Sequence, residues 1–387
     1  MSEETRLIHA GSTDAPLVRT VGPPIQKGST VMLPNAAALY DDDNHLTYGR
    51  QGLSAQFALV SALNELEGAT TTELYPSGLA ALTGAMLAVL KAGDDVLAAD
   101  TLYKPTRRFC DKVLKRFGVT VRYYDALTSP DDLLAMVTPA TRLIVLESPG
   151  SLTFEMQDIP AIAARARTRG VLTLADNTWG AGYLFKPLAH GVDISVQALT
   201  KYVGGHSDVF MGSASAADPN VGRLLADGVL NLGWAVSGEE AYQMLRGLRT
   251  LPTRLARHGE SGLKVARWLE TQPEVARLIH PALPGDPGHE IWVRDFSGAC
   301  GLFAFSFAAP APAAAVDAFL DALELFGLGF SWGGFESLAI SVDPQLSARS
   351  LKRDYGGPLV RLHVGLEDPD DLIADLRRGL DAFQAAR

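Results

Sequence analysis

Residues 160–176 read PAIAARARTRGVLTLAD, and this stretch decides the fold class. PAIAARARTR has the spacing of an amphipathic helix, Gly170 stops it, and VLTLA is a continuous apolar strand. Asp176 therefore stands where a buried strand ends. Working outward, residues 77–90 are helical, 95–99 form a second buried strand and 143–146 a third. Helices alternating with fully apolar strands specify an α/β fold, with a parallel sheet covered by helices on both faces. In open parallel sheets ligands bind beyond the carboxyl ends of the strands, so Asp176 marks the place where chemistry is expected.

The flanks read differently. Residues 1–56 are rich in Gly, Pro, Thr and Asp with little periodicity, which predicts an extended arm that lies on another surface, such as that of a neighbouring subunit. Residues 57–250 make the α/β domain, and residues 251–387 a smaller C-terminal α+β domain. In the latter, a helix runs from 251 to about 271 and CGLFAFSF (300–307) alternates small and aromatic residues like a half-buried strand. AAPAPAAA (308–315) is read as a loop, leading to a helix at 316–325.

The chain has 387 residues, 47% of them hydrophobic and 20% charged, enough for one large and one smaller globular unit. With a formal net charge of −10 and no basic blocks, neither nucleic acid nor an anionic membrane is an expected partner. The longest apolar run, 78–90, is too short to span a bilayer, and residues 1–11 do not look like a secretory signal. Cys110 and Cys300 are read as free thiols in a reducing cytoplasm.

Three motifs carry chemistry jointly. In SVQALTKYVGGHSD (195–208) a lysine, Lys201, follows a short apolar strand and precedes glycines. Alone it would be an ordinary surface group, but a desolvated lysine has a lowered pKa and a nucleophilic amine, which Schiff-base chemistry needs. In ADNT (175–178), Asp176 could hold a pyridinium nitrogen protonated, and the protonated ring is then an electron sink. YPSGLA (75–80) opens an apolar helix whose free N–H groups and positive dipole end suit a phosphate. YGR (48–50) and DTLYKPTRRFC (100–110) add aromatic and guanidinium groups.

Competing signatures are thin. Gly180-Ala181-Gly182 supplies half a dinucleotide fingerprint with Phe185 in place of its last glycine, no P-loop or G-x-S-x-G pattern occurs, and His206 with Asp208 lacks a third metal ligand. No metal is expected.

Together these segments, with LESPGS (146–151), RGLRTLPTRL (246–255), HPALPG (280–285), SWGGFESL (331–338) and RLHVGLED (361–368), resemble the Cys/Met-metabolism family of pyridoxal-phosphate enzymes. The likeness is greatest to its bacterial cystathionine β-lyase branch: sister branches usually read SLGG at 331–334 and Ser-x-Thr-Lys at 198–201, where this chain has SWGG and ALTK. The resemblance implies fold type I, with a mostly parallel seven-stranded sheet, and pyridoxal phosphate carried on Lys201. It further implies that Asp176 pairs with the ring nitrogen, that Tyr103 stacks on the ring and takes part in catalysis, and that Gly78, Leu79 and Thr200 hold the phosphate. Tyr48 and Arg50 would come from the neighbouring subunit of a homotetramer built from catalytic dimers, while Arg361 would grip the substrate α-carboxylate beside Ser331 and Trp332. The implied reaction is cleavage of the amino-acid thioether L-cystathionine to homocysteine, pyruvate and ammonia, for methionine biosynthesis. A γ-lyase, a γ-synthase, a broad cysteine-S-conjugate β-lyase and a binding protein without activity are the alternatives. Where relatives often carry Arg, Tyr and Tyr, this chain has Gln51, Phe330 and Phe335; Arg108 stands where some have an acid.

Overall fold

The computed structural model describes residues 1–11, 20–41 and 46–387. Seven strands form the large sheet: β1 (Thr71–Tyr75), β2 (Asp95–Ala99), β3 (Thr120–Tyr124), β4 (Thr141–Glu147), β5 (Leu172–Asp176), β6 (Ile194–Gln197) and β7 (Gly212–Ala216). Their order is β1-β7-β6-β5-β4-β2-β3, and β7 alone runs antiparallel, to both its neighbours. The decisive stretch folds as read: helix Ile159–Thr168, then β5, with Asp176 as its last residue. Asp158 caps that helix through the Ala161 N–H, and Gly170 takes a left-handed φ of 65°. β2 and β6 are buried along their whole length, as strands covered on both faces must be.

A second, five-stranded sheet has the order β10-β11-β12-β9-β8, formed by β8 (Val275–Ile279), β9 (Leu302–Phe307), β10 (Gly327–Leu328), β11 (Leu338–Ser341) and β12 (Leu359–His363). It is antiparallel except for the β10–β11 pair.

β9 departs from the expected half-buried strand, because all six of its residues are buried. Leu302 and Ala304 join the large core, while Phe303, Phe305 and Phe307 pack into a second core with Phe319 and Phe383. The small-aromatic alternation thus separates two cores rather than core from water. The helix expected at 316–325 is displaced to Ala313–Asp321. Ala313–Ala315 are strong helix formers after Pro312, so they join the helix rather than the loop. At the other end the buried Asp375 carboxylate accepts the N–H groups of Glu324, Leu325 and Phe326, drawing them away from helical pairing.

The N-terminal segment is also less extended than expected. Residues Glu3–His9 form a helix whose Leu7 is fully buried, and Glu3 and Glu4 bond Lys186 and Tyr183 of the same chain. The helix Ser54–Glu67 begins before residue 57. Residues 12–19 and 42–45 of the expected arm lie outside the described residues.

Candidate active site

The carboxyl ends of β4 and β5, the turn after β6, the start of the helix Gly78–Val89 and the loop before β11 converge on one cavity of about 550 Å³. Gly78, Leu79, Tyr103, Asp176, Thr200, Lys201, Ser331, Trp332 and Arg361 all line it.

β1 delivers the helix start. Ser77 caps the helix by accepting from the Ala80 N–H at 3.1 Å, which leaves the first-turn N–H groups of Gly78 and Leu79 without an intrahelical acceptor. An ideal Cβ on Gly78 would lie 2.3 Å from the Ala198 Cβ, so glycine is what lets this helix start seat against the turn after β6. That turn is tied down by Thr200, whose Oγ1 accepts from the Met211 N–H at 2.9 Å and donates to its carbonyl at 3.1 Å. Lys201 follows directly.

The Lys201 Nζ donates to Ser331 Oγ at 2.9 Å and stands 5.4 Å from the centre of the Trp332 ring. Burial, aided by the Arg361 charge, lowers its pKa from 10.5 to about 8, against the pull of Asp176 and Glu336. Asp176 is buried; its Oδ1 accepts from the Thr178 hydroxyl at 2.5 Å and from the Thr178 N–H at 3.1 Å. Burial raises its pKa, opposed by the Thr178 bonds and by Lys201.

Arg361 sits on β12 at 6% exposure. Its Nη2 donates to the Ser331 and Phe330 carbonyls at 2.9 and 3.1 Å, while Nε is buried without a partner. An unpaired buried Nε–H, on a guanidinium whose pKa burial depresses to about 10, is a donor left for an anion. Tyr103, at the cavity mouth, has a phenol pushed up by burial first, then by Asp176 and Glu147, so it stays protonated at neutral pH.

Tyr48 and Arg50 are expected to serve a neighbouring subunit's site rather than this one. Tyr48 and Arg50 flank and occupy the short turn Gly49–Gln51 on the exposed surface, where Arg50 Nη1 donates to the Leu230 carbonyl at 3.1 Å; neither lines the cavity of this chain.

The sequence reading passes over Glu147 and Thr178, which also line the cavity. Glu147 ends β4 directly opposite Asp176 on β5, and its Oε2 accepts the Tyr103 N–H at 2.7 Å. The strand-end rule that selects Asp176 would have selected Glu147 too, had the strand at 143–146 been extended by one residue. Burial and the Asp176 charge raise the Glu147 pKa well above the usual range.

Among the described residues there is no group of three or more His, Cys, Asp or Glu side chains that could hold a metal. The sequence profile of the Cys/Met metabolism PLP-dependent enzymes matches residues 4–381. The chain belongs to that family. A cystathionine beta-lyase of Bordetella avium is 44% identical to it over 98% of this chain and 97% of its own length. Cystathionine beta-lyase MetC of Escherichia coli is 42% identical over 97% of each. The solved structure of cystathionine gamma-lyase from Lactobacillus plantarum complexed with L-serine matches with a TM-score of 0.91 at 29% identity, covering 99% of this chain and 100% of that one. The fold is therefore that of this pyridoxal-phosphate family, and the residues present fit the cofactor: an activated amine, a buried carboxylate, a free helix start and a cavity joining all three.

Proposed function

We propose that the chain cleaves the Cβ–S bond of L-cystathionine, with water, to homocysteine, pyruvate and ammonia. The observation that carries this reading is the placement of the Trp332 indole beside the Lys201 amine, in a chain that matches proteins named cystathionine beta-lyase along almost its whole length. A bulky ring there narrows the space available to the substrate side chain, which supports reaction at Cβ.

Pyridoxal phosphate, when bound, supplies the electron sink that acidifies the substrate α-carbon. The protein does the rest. Gly78 and Leu79 would offer backbone N–H groups to the phosphate, as would Thr200 its hydroxyl on turning it from the Met211 carbonyl; Asp176 would balance the charge of the ring nitrogen, and Tyr103 would pack on the ring. Arg361 orients the substrate through its α-carboxylate beside Ser331. The free amine of Lys201 would take the proton from the substrate α-carbon, and Lys201 or the protonated Tyr103 phenol would give one to the leaving thiolate. Loss of the thiolate leaves a three-carbon unit that hydrolyses to pyruvate and ammonia. Identifying the keto acid tests the reading: pyruvate is expected, and 2-oxobutyrate as the main product would replace it with the γ-elimination for which the Lactobacillus plantarum protein is named.

The lowered lysine pKa makes a separate prediction. At pH 7 an amine titrating at about 8 is neutral in roughly one molecule in ten, against roughly one in three thousand at 10.5. The neutral amine is the nucleophile, so the rate at which the apoprotein captures pyridoxal phosphate is expected to rise about tenfold per pH unit up to about 8 and then level off. A rise that continues to pH 10 would show an unactivated lysine.

Tyr48 and Arg50 are proposed to complete the phosphate site of a neighbouring subunit, in a homotetramer of catalytic dimers working in the cytoplasm. Exposed Met32, Tyr40 and Tyr48 support an assembled arm, and the buried free thiols Cys110 and Cys300 suit a reducing compartment. Mixing inactive Lys201→Ala with inactive Arg50→Ala is expected to restore roughly a quarter of the parental activity, because half the dimers are hybrids with one intact site each. No recovery after demonstrated subunit exchange would place Arg50 elsewhere.

A further inference from the structure

The loop 331–334 is held against Lys201 from behind. Gly333 has a φ of 86°, and an ideal Cβ on it would fall 2.9 Å from the Lys201 carbonyl carbon and Cβ, so the loop backbone lies directly on the lysine. Two loop residues meet the lysine side chain, Ser331 by its hydrogen bond and Trp332 by its ring. On the far side stands His363, the fully buried last residue of β12. Its Nε2 accepts the Gly333 N–H at 3.0 Å and lies 3.1 Å from the Gly334 carbonyl, to which the other tautomer donates. The ring packs in a triangle with Tyr202 and His258, whose centroids lie 5.9 and 5.3 Å from it and 5.3 Å from each other, and Tyr202 in turn contacts Trp332 at 5.5 Å.

We infer that His363 is a positioning residue: its Nε2 accepts the Gly333 N–H, pins the loop backbone at that point and thereby sets where Ser331 and Trp332 stand over Lys201. The inference rests on the proposed lyase reading for its kinetic consequence, though not for its structural one. Burial, then His258, Arg361 and Lys201, hold the His363 pKa well below the usual range, so the pin is a neutral ring. A neutral amide of the right reach can therefore replace it. Glutamine places its terminal O and N near the Nε2 position and offers both an acceptor and a donor; leucine fills the space and offers neither.

The test is hydrogen–deuterium exchange on the apoprotein, followed by kinetics of the pyridoxal-phosphate-loaded enzyme. In His363→Leu, exchange across residues 329–337 is expected to quicken at least about tenfold while the helix Gly78–Val89 is unchanged, and in His363→Gln to stay within about threefold of the parent. Cofactor capture at Lys201 is expected to stay stoichiometric in both. A misplaced loop lowers kcat/KM by about a hundredfold in the leucine variant, with glutamine restoring most of it. Unchanged exchange of residues 329–337 in His363→Leu would overturn the inference, as would a glutamine variant opened as far as leucine. Should His363→Leu fail to fold, His363→Asn takes its place, since its amide is one methylene short and is expected to open the loop where glutamine does not. The exchange measurement uses no substrate, so a wrong lyase assignment leaves its outcome intact.

Discussion

Lys201→Ala is expected to leave a folded protein that gains no visible absorbance with pyridoxal phosphate and turns over at least about four orders of magnitude more slowly, since nucleophile and general base go together. The fold is expected to survive because the side chain makes one hydrogen bond, to Ser331, and is otherwise a burden. A lysine whose pKa falls from 10.5 unfolded to about 8 folded opposes folding at every pH below about 10.5, and fully so below about 8. Removing it relieves that opposition at neutral pH. The apo form of Lys201→Ala is thus expected to melt at the same temperature as the parent or higher when both are compared at pH 7, with the difference vanishing near pH 10.5. Turnover within tenfold of the parent would take Lys201 out of the mechanism. A large fall in Tm would show that the amine is a structural tie rather than a strained functional group.

The parts of the site that the sequence revealed are those fixed by strand ends. Asp176 was legible because VLTLA can only be a buried strand, and whatever follows such a strand in a parallel sheet faces the ligand edge. Glu147 obeys the same rule and escaped only because the polar residue was not counted into its strand. Thr178 and His363 were illegible for another reason. They act by short-range bonds to Asp176 and to the backbone of a loop about thirty residues away, and no periodicity records such pairings. The C-terminal unit shows the limit of pattern reading at a boundary between two cores. Alternation in β9 says that its faces differ, but not that both are buried, since small residues can face a neighbouring core as readily as water. Likewise the premature end of the helix Ala313–Asp321 is set by Asp375, more than fifty residues along the chain, against a local sequence that would carry the helix further. Tyr48 and Arg50 were placed at a site by resemblance, and within one chain they lie away from its cavity.

Arg361→Lys keeps the charge and is nevertheless expected to lower kcat/KM for the amino-acid substrate by two to three orders of magnitude, about 3–4 kcal/mol of lost stabilisation. The reason lies in how the guanidinium is divided. Nη2 is committed to the carbonyls of Phe330 and Ser331, with Gly329 at 3.4 Å, which fixes the plane of the group and leaves the unpartnered Nε–H for a carboxylate. Lysine has one nitrogen and would have to choose between the loop and the ligand. Because the carboxylate is gripped in ground and transition states alike, the loss is expected chiefly in KM, while cofactor capture at Lys201 proceeds as in the parent. A decarboxylated substrate analogue separates orientation from simple charge: the parent should discriminate against it by the same two to three orders, and Arg361→Lys by little, leaving a coupling of about 3 kcal/mol in the double cycle. Equal discrimination by parent and variant would mean that some other cation, Lys104 at the cavity wall being the nearest candidate in kind, holds the carboxylate and that Arg361 serves only to brace the loop over Lys201.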